Sequence, residues 1–297
     1  MKFTQIEINF LKSNYSILGT QRCAKKLNRT TKSVSHKANR LGLELNPNTK
    51  SKIYQKSFAK RLIEHPFPTR KSKRPEQFKV NPNQFINCTI PEAAYILGLL
   101  WADGYIRQKD YLNDIKLENI KKDIDVFYPI FLKTGNWRIL FRQRKNRQEQ
   151  GLIRTSNKLL ASFLIENNYG PHNIKSADKI LELIPNNLHQ YWFRGLIDGD
   201  GCWYLNIKNS CRQFSLAGSY EQDWSYFENL LDKLDIKYST QRRIQKRKNK
   251  KPTKSSTVRI NNKKDIIKLG NYIYQNYGQD KTGLQRKYNK YLEIKNS

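Results

Sequence analysis

The stretch "ILGLLWADGYI", residues 96–106, places an aspartate directly after an unbroken run of apolar side chains. The stretch "FRGLIDGDGCW", residues 193–203, repeats the frame Gly-Leu-x-x-x-Asp-Gly. A segment that is apolar on every side, as in the first copy, predicts a helix that is buried all round. The sequence therefore predicts two helices that need a covering partner, each ending in a carboxylate.

The first of these helices has recognisable ends. Thr89 and Pro91 predict its start, because threonine caps helix N-termini and proline fits the first turn. Asp103 and Gly104 predict its end, with Gly104 in the positive-φ conformation that glycine adopts easily. A single Asp-Gly pair would be explained by a turn after a core helix. Two copies in equivalent frames favour a shared functional site.

Further segments recur in the same order along the chain. The sequence "IRTSNK" at residues 153–158 is echoed by "VRINNK" at residues 258–263. Each is followed by a helical pattern that runs into "NYG", at residues 168–170 and 276–278. Such a repeat predicts two halves of like architecture, each reading helix, strands, helix, basic strand, strand, helix. The predicted fold class is α+β, with two pseudo-symmetric halves.

Gly98 and Gly195 occupy the same position in the two repeats, which allows the helix backbones to approach closely. Helices packed in this way place Asp103 and Asp200 side by side at their C-terminal ends, where the helix dipole is also negative. Two neighbouring carboxylates repel unless a cation lies between them. Oxygen ligands and a polyanionic partner favour Mg²⁺, held by the acids, backbone carbonyls, waters and phosphate oxygens, and Mn²⁺ is expected to substitute.

The charge balance narrows the class of partner. The chain has 56 Lys+Arg against 25 Asp+Glu, a formal net charge of +31, which suits a polyanion and above all a nucleic acid. An anionic membrane surface is the rival, but the mean hydropathy is −0.81 and no apolar run approaches the length of a spanning helix. No membrane partner is expected. The start "MKFTQIEINF" lacks a secretion-signal pattern, so an intracellular protein, cytoplasmic or organellar, is expected.

The cysteines and histidines show no metal-ligand spacing. No CxxC pair occurs, and no histidine pair accompanies a cysteine at the spacing that zinc sites use. We expect reduced, structural thiols and no zinc site. His189 precedes the second motif and is interpreted as a capping or packing residue rather than a general base. The residues in question are Cys23, Cys88, Cys202, Cys211, His36, His65, His172 and His189.

Residues 1–45 carry three short helical patterns, the second opening on Thr20 as a candidate N-cap. The pattern Ala-x-x-Leu-x-Arg-Thr, from Ala24 to Thr30, is followed by a helical pattern that ends at Gly42. Together they resemble helix-turn-helix domains of the homeodomain or Myb kind. The alternative is a small helical interaction domain with a solvated basic face. The resemblance implies that five side chains on or beside the third helix contact DNA phosphates or bases: Arg29, Lys32, His36, Lys37 and Arg40.

Residues 46–88 read as a basic linker. Prolines, asparagines and lysines occur there without sustained periodicity. The remaining chain divides into a first half, residues 89–188, and a second half, residues 189–297. The predicted organisation is therefore a small all-α domain, a linker and two repeated subdomains.

The two motifs resemble those of the LAGLIDADG homing endonucleases, over about residues 88–297. Both copies match at the Gly, Leu and final Asp-Gly positions, and the second also keeps the earlier acid, Asp198, where the first has Trp101. The resemblance implies two αββαββα subdomains packed through their motif helices. It also implies that the last acid of each motif binds metal, with the carbonyls of Ala102 and Gly199 as helpers. Because the earlier acid supports packing or capping, its replacement by tryptophan does not endanger catalysis.

The resemblance further implies hydrolysis of one phosphodiester per strand, with cuts staggered across the minor groove and 5′ phosphates left behind. Lys175 and Lys287 follow the "NYG" elements, where the family often places a catalytic lysine. The matching of these loops leaves open whether either lysine is structural instead. Asn119 and Ser219 are candidates for the polar residue that positions water.

Two pairs of strands carry the predicted DNA surface. Alternating long polar side chains suit major-groove reading, because arginine bridges guanine and glutamine bridges adenine. Each alone is better explained by a phosphate contact or a solvated strand residue than by base reading, and only the collective pattern favours a DNA surface. The predicted DNA-binding residues are Arg138, Arg142, Arg144, Gln241, Arg243, Gln245 and Arg247, together with Arg154 and Arg259, which recur in both halves.

These observations together predict a monomeric, Mg²⁺-dependent, site-specific endonuclease of double-stranded DNA with a long, nearly asymmetric target. The monomer follows from the internal duplication, which supplies both halves of one active centre. A non-cleaving DNA-binding regulator and an intron RNA maturase are the alternatives. Intact Asp103 and Asp200 argue against the regulator. The helix-turn-helix pattern favours duplex DNA over RNA, whose deep major groove side chains cannot read.

Overall fold

A computed structural model describes residues 3–46, 79–109, 112–143, 148–170, 175–247 and 250–297. The chain divides into two units, Met1–Lys73 and Arg74–Ser297. Most of the predicted linker lies outside the described residues. No helix in the described ranges has both the length and the apolar character needed to cross a membrane.

The N-terminal unit contains α1 (Gln5–Lys26) and α2 (Thr31–Arg40). Thr4 and Glu7 cap α1 reciprocally, through Thr4 Oγ1 and the Glu7 carboxylate. Gly19, at φ 72° and ψ 172°, breaks α1 into two helical segments, so the three predicted helices are observed. The helices pack around a small apolar core formed by Leu11, Tyr15, Cys23, Ala24, Val34 and Ala38.

The first half of the larger unit contains one four-stranded antiparallel sheet in the order β1-β2-β4-β3. A Cβ on Gly151 of the sheet would lie 2.6 Å from the Ile124 side chain, so a helix covers that face. Its elements are α3 (Asn83–Ile86), α4 (Pro91–Asp103), β1 (Gly104–Lys109), β2 (Leu112–Ile120), α5 (Lys121–Leu132), β3 (Arg138–Arg142), β4 (Gln150–Thr155), α6 (Lys158–Glu166), α7 (Asp178–Leu181) and a 3₁₀ turn (Asn186–Leu188).

The second half repeats this layout, with its sheet in the order β5-β6-β8-β7. The predicted α+β class and the order αββαββα are thus confirmed in both halves. Phe214 of the sheet packs on Phe227 of a covering helix. The elements are α8 (His189–Asp200), β5 (Gly201–Asn206), β6 (Cys211–Gly218), α9 (Ser225–Lys233), β7 (Ser239–Arg247), β8 (Lys250–Ile260), α10 (Lys263–Ile273), α11 (Tyr277–Asp280) and α12 (Gln285–Asn296).

The motif helices, α4 and α8, pack against each other in the centre of the larger unit. A Cβ on Gly98 would lie 1.8 Å from the Trp192 carbonyl oxygen, and a Cβ on Gly195 would lie 2.1 Å from the Tyr95 carbonyl oxygen. No side chain fits at either position. The predicted close approach of the helix backbones at these glycines is therefore confirmed.

Two details of helix α4 differ from the sequence-based expectation. Its N-cap is Ile90, with Pro91 at the first position, and Thr89 lies outside the cap. Gly104 has φ −75°, so it ends the helix in extended backbone rather than at positive φ. Glycine is required there for another reason: a Cβ would lie 2.2 Å from the Leu100 carbonyl oxygen.

Residues 79–88, placed in the linker from the sequence, pack on the first half. Val80 forms a β-bridge with Gly135, and the Phe85 ring meets the Trp137 ring edge-on at 6.1 Å. Cys88 is fully buried. The polar composition of the wider segment conceals these apolar side chains, so the first subdomain begins earlier than the sequence pattern indicated.

Candidate active site

Asp103 and Asp200 are the last residues of the two motif helices. At this end the helices touch: a Cβ on Gly199 would lie 2.4 Å from the Ala102 Cβ and 3.3 Å from the Asp103 Oδ2. Asp103 reaches solvent, and Asp200 is half-buried. The structure thus brings both predicted acids, and the two residues predicted to offer carbonyls, to one accessible point on the helix interface.

The electrostatics of this point favour a bound cation. Burial and the charge of Asp103 raise the pKa of Asp200 to about 7, against the opposing effect of Lys287. Desolvation also raises the pKa of Asp103. The ionised pair is therefore costly without a positive charge, and two carboxylates of this kind are a donor set that Mg²⁺ accepts. Within the described ranges no three His, Cys, Asp or Glu side chains gather, so carbonyls, water and phosphate would complete the coordination shell.

Lys287, a predicted catalytic lysine, lies buried beneath the centre. Its Nζ donates to the carbonyl oxygens of Ile197 at 2.6 Å, Asp198 at 2.7 Å and Gly201 at 2.8 Å. Ile197 and Asp198 lie in the last turn of α8 and Gly201 is its C-cap, so the ammonium group binds carbonyl oxygens at the negative end of this helix. The ammonium group also stabilises the ionised forms of both Asp103 and Asp200. In this position Lys287 holds the end of α8.

Lys175, the other predicted catalytic lysine, is exposed at the start of a described segment. The neighbouring Ser176 lies 3.1 Å, Oγ to Oγ, from Ser225 at the start of α9. Lys175 therefore lies close to the second sheet's covering helix. The two lysines that follow the repeated "NYG" elements thus occupy unlike environments.

The two positions of the earlier motif acid have unlike roles. Asp198 accepts hydrogen bonds from the Tyr95 hydroxyl at 2.7 Å and from the Leu284 backbone N–H at 2.8 Å. It ties the first motif helix to the segment that carries Lys287. Trp101, at the same position of the first motif, packs edge-on against the Tyr169 ring at 4.9 Å.

The predicted water-positioning candidates also differ. Asn119 Nδ2 donates to the Asp103 carboxylate at 3.3 Å. Ser219 lines a cavity of about 330 Å³ together with Asp200. Gln222, a buried side chain that the sequence pattern did not single out, lines the same cavity. It lies in a loop without periodicity, so no local signal would have identified it.

The predicted DNA-binding residues of the first sheet share its outer face, the face opposite the helices. Arg138 and Arg154 are directly opposed across β3 and β4, and Lys116 opposes Arg154 across β2. Opposed residues point to the same side, so three cations form one row. Asp114 pairs with Arg154 at 2.8 Å, and Arg142 lies four register pairs along from Arg138 on the same face.

The second sheet presents a comparable outer face. Gln241 accepts a hydrogen bond from Arg243 at 2.7 Å, and the two residues share this face with Gln245 and Arg259. Arg259 stands between Ser215 and Ser239, where the first sheet has three cations in a row. Arg144 lies outside the described residues, and of Arg247 only the backbone is described.

The predicted DNA-binding residues of the N-terminal unit divide into two groups. Arg29 is engaged within the unit: its guanidinium pairs with Glu7 at 2.9 Å and lies over the Phe3 ring. The other four lie on α2, with Lys37 half-buried and the rest exposed: Lys32, His36, Lys37 and Arg40.

The histidine and cysteine predictions have mixed outcomes. His189 lies at the start of α8, where its Nε2 is 3.1 Å from the Leu181 carbonyl oxygen and 3.0 Å from the Ile184 carbonyl oxygen. This is the predicted packing role. All four cysteines are free thiols; Cys23 and Cys88 are buried, whereas Cys202 and Cys211 are exposed on the second sheet. A core role fits only the first two.

No family model and no curated protein matches the chain. Among solved structures, the chain is similar to the meganuclease I-SmaMI bound to uncleaved DNA with calcium (15% identity, 73% of this chain, 98% of that one, TM-score 0.36). It is also similar to I-DmoI in complex with DNA and calcium (12% identity, 62% of this chain, 88% of that one, TM-score 0.39). A third similar structure is the LAGLIDADG meganuclease I-AabMI bound to uncleaved DNA (13% identity, 70% of this chain, 98% of that one, TM-score 0.33). Such low scores assign no residue of this chain to a role.

Proposed function

We propose that this protein is a site-specific, Mg²⁺-dependent endonuclease of double-stranded DNA, of the LAGLIDADG homing type. The observation that carries the proposal is the pair of acids at the adjoining C-terminal ends of two equivalent helices, where Asp103 is exposed. One acid comes from each repeat. A centre built in this way can address two strands, because two-fold symmetry relates both the protein halves and the strands of a duplex.

The chain's own residues have distinct tasks in this proposal. Asp103 and Asp200 hold the cation with the carbonyls of Ala102 and Gly199, and Lys287 fixes the helix end that carries Asp200. Asn119 orients the Asp103 carboxylate. When bound, Mg²⁺ stabilises negative charge on the phosphate and lowers the pKa of an attacking water. One phosphodiester in each strand would be hydrolysed.

The outer faces of the two sheets supply the DNA-binding surface. The row formed by Lys116, Arg138 and Arg154 suits phosphate contacts and guanine edges, and Gln241 with Arg243 suits base reading. The two faces carry different side chains at equivalent positions, so a long target without strict symmetry is expected. Helix α2 of the N-terminal unit is proposed to bind DNA as in helix-turn-helix domains, through Lys32 and Arg40.

The proposal is tested by Mg²⁺-dependent cleavage of a randomised duplex library, with EDTA as the metal-free control. Asp103→Asn and Asp200→Asn are expected to bind DNA and to lose double-strand cutting. Asp235→Asn is the matched control, because Asp235 is exposed, pairs with Lys268 and has the positive φ that asparagine tolerates. Its cutting should equal that of the unaltered chain.

The other outcomes separate the alternatives. Sequence-specific retention of DNA without cutting would support a regulator. Neither cutting nor retention of DNA, with binding of a folded intron RNA, would support a maturase. Cutting that survives Asp103→Asn would contradict the proposed role of the acids. A monomer in complex with DNA is expected, since one chain supplies both acids.

A further inference from the structure

The second half has a loop, residues 219–224, between β6 and α9. In the first half β2 runs directly into α5 without such a loop. Ser219 and Gln222 of the loop line the cavity of about 330 Å³ that Asp200 also lines. The position of the loop therefore decides where a hydroxyl and an amide group stand beside Asp200.

The loop is held by two side chains of the β7–β8 hairpin. Arg242 of β7 donates from Nε to the Tyr220 carbonyl oxygen at 3.0 Å and from Nη2 to the Gln222 carbonyl oxygen at 3.2 Å. Ser256 of β8 donates from Oγ to the Ser219 carbonyl oxygen at 2.6 Å. Arg242 and Ser256 are directly opposed in the hairpin. Three carbonyl groups of the loop thus depend on one pair of residues.

The same hairpin carries predicted DNA-binding residues on its other face. Successive residues of a strand point to opposite sides, so Gln241 and Arg243 face away from Arg242. Thr240 shares the face of Arg242 and donates to the Glu228 carboxylate of the covering helix α9 at 2.5 Å. One strand therefore presents Arg243 to DNA and Arg242 to the loop.

The pair formed by Arg242 and Ser256 lies where the three-stranded part of this sheet ends. β6 bonds to β8 as far as Gly218 opposite Ser256, and beyond this row, in the described residues, β8 bonds only to β7. Arg243 and Gln245 lie in this two-stranded ribbon. Because a two-stranded ribbon has little stability of its own, its orientation follows the DNA that it contacts. A displacement of the ribbon acts first on the pair at its base.

The first half has no equivalent connection. The pair equivalent to Arg242 and Ser256 is Phe141 and Gly151, three register pairs along the hairpin from the row that contains Arg154. Neither phenylalanine nor glycine carries a side-chain hydrogen-bond donor. The connection between hairpin and loop therefore belongs to the second half.

We propose that Arg242, supported by Ser256, is a positioning residue that couples the contact between the hairpin and DNA to the loop beside Asp200. The proposal rests on the endonuclease activity proposed above. When Gln241 and Arg243 engage the target, the ribbon is fixed and its base holds the loop in place. When this contact is incomplete, the loop shifts and bound DNA is cut more slowly, because small displacements near a reacting centre are costly. The second half then discriminates between targets at the cutting step as well as at binding.

The experiment uses the full chain, Mg²⁺ and the target duplex. It measures the Kd for DNA and the single-turnover rate of cutting at saturating protein. Arg242→Met removes the donors to the loop, so it should slow the cutting of bound DNA roughly tenfold and leave the Kd within about twofold. Arg243→Met removes a donor from the outer face of the same strand, so it should raise the Kd roughly tenfold and also slow the cutting of bound DNA.

The double variant tests whether the coupling passes through Arg242. In the presence of Arg242→Met, Arg243→Met should still raise the Kd but should add no further slowing of cutting. Lys233→Met, at an exposed position of α9, is the matched loss of one positive charge and should change neither quantity. Thermal unfolding of each variant shows whether the fold is retained.

A second readout does not depend on cutting. The indole Nε1 of buried Trp224 donates to Ser256 Oγ at 2.8 Å, so its N–H resonance reports on the base of the hairpin. In EDTA, saturation with the target duplex should shift this resonance, which Trp224→Phe assigns. Arg243→Met at the same saturation should give a smaller shift.

The outcomes separate the coupling from the endonuclease. The coupling is overturned if Arg242→Met leaves the cutting rate unchanged, if it raises the Kd as much as it slows cutting, or if the two slowings multiply in the double variant. An unshifted Trp224 resonance at saturation would also overturn it, even in a chain that cuts. A shifted resonance without cutting would refute the endonuclease and retain the connection between DNA and the loop. A chain that binds no duplex would overturn both.

Discussion

Asp200 has a pKa of about 7 because burial and the neighbouring charge of Asp103 both disfavour its ionised form. In the unfolded chain the carboxyl has its ordinary pKa of 3.8. The folded protein therefore holds this proton more tightly than the unfolded chain does. The corresponding stability is fully present below about pH 4 and is lost as pH rises to about 7.

Asp200→Asn removes the carboxyl group whose ionisation lowers the free energy of unfolding as pH rises. In EDTA at pH 8 the variant should be more stable than the unaltered chain, by roughly 2–4 kcal/mol in the free energy of unfolding. At pH 4 the two should be nearly equal. Urea denaturation at the two pH values measures the difference, and Mg²⁺ at pH 8 should narrow it by stabilising the ionised acids.

Asp235→Asn controls for a general effect of losing one negative charge. Asp235 has a lowered pKa, because it pairs with Lys268, so its removal should produce no gain at pH 8. An equal gain from both variants would show that net charge, rather than the contact between Asp103 and Asp200, sets the stability. If Asp200→Asn does not raise the free energy of unfolding at pH 8, repulsion between Asp103 and Asp200 is too weak to favour a bound cation.

The residues of the centre were predictable to different degrees. Asp103 and Asp200 were predictable because their frame recurs at two places in the chain. The placement of Lys287 against the end of α8 was not, because hydrogen bonds to backbone carbonyls leave no pattern in the sequence. Asn119 was one of two polar candidates until its hydrogen bond to the Asp103 carboxylate distinguished it from Ser219.

At the scale of secondary structure, the motif helices are held at a distance that only glycine permits. Gly98 and Gly195 each face a backbone carbonyl of the partner helix. The helix ends that carry the acids are positioned by this crossing. A larger residue at the crossing must separate the helices or rotate them.

Gly195→Ala tests this constraint. The added methyl would lie 2.1 Å from the Tyr95 carbonyl oxygen, so the free energy of unfolding should fall by about 3 kcal/mol or more. Cutting activity should fall with it, because the acids move apart. Chemical denaturation and cleavage assays measure the two effects, and a loss below about 0.5 kcal/mol would show that the helices separate freely.

Gly278→Ala is the matched control, since a Cβ on this helical glycine meets no atom within 4 Å. It should leave cutting unchanged and stability equal or slightly higher, as alanine has the higher helix propensity. A loss of stability equal to that of Gly195→Ala would indicate that any added methyl in this unit is disruptive.

The order of helices and strands was predictable because each half repeats the pattern of the other. The residues at which helices and strands begin and end were less predictable. Gly104 was expected at positive φ, but its requirement arises from the Leu100 carbonyl, a contact within the helix that spacing does not reveal. The segment containing Val80 and Phe85 was read as linker, because its few apolar residues lie among prolines and lysines.

At the scale of the whole molecule, the net charge of +31 is distributed over both units. Binding of duplex DNA by phosphate contacts weakens as salt rises: the logarithm of the binding constant falls linearly with the logarithm of the salt concentration, with a slope of about −0.9 for each phosphate neutralised. The measured slope therefore gives the number of phosphate contacts. The structure divides the chain at Lys73, which allows the contribution of each unit to be measured.

The fragment comprising residues 74–297 should fold, because its core lies within the larger unit, and should retain Mg²⁺-dependent cutting at low salt. Without Lys32, Lys37 and Arg40, its binding should be weaker, and the salt slope shallower by roughly 3. Fluorescence anisotropy with labelled target across a salt series measures both quantities. The triple variant of the full chain with alanine at these three positions should match the fragment's slope.

The comparison of the fragment with the triple variant decides what the N-terminal unit does. If both show the shallower slope, the basic face of α2 contacts phosphates, since removing three charges and removing the whole unit have the same effect. If only the fragment does, other residues of the removed segment make the contacts. If neither does, the unit does not contact the phosphates of this target, and the interaction-domain interpretation of its solvated basic face is preferred.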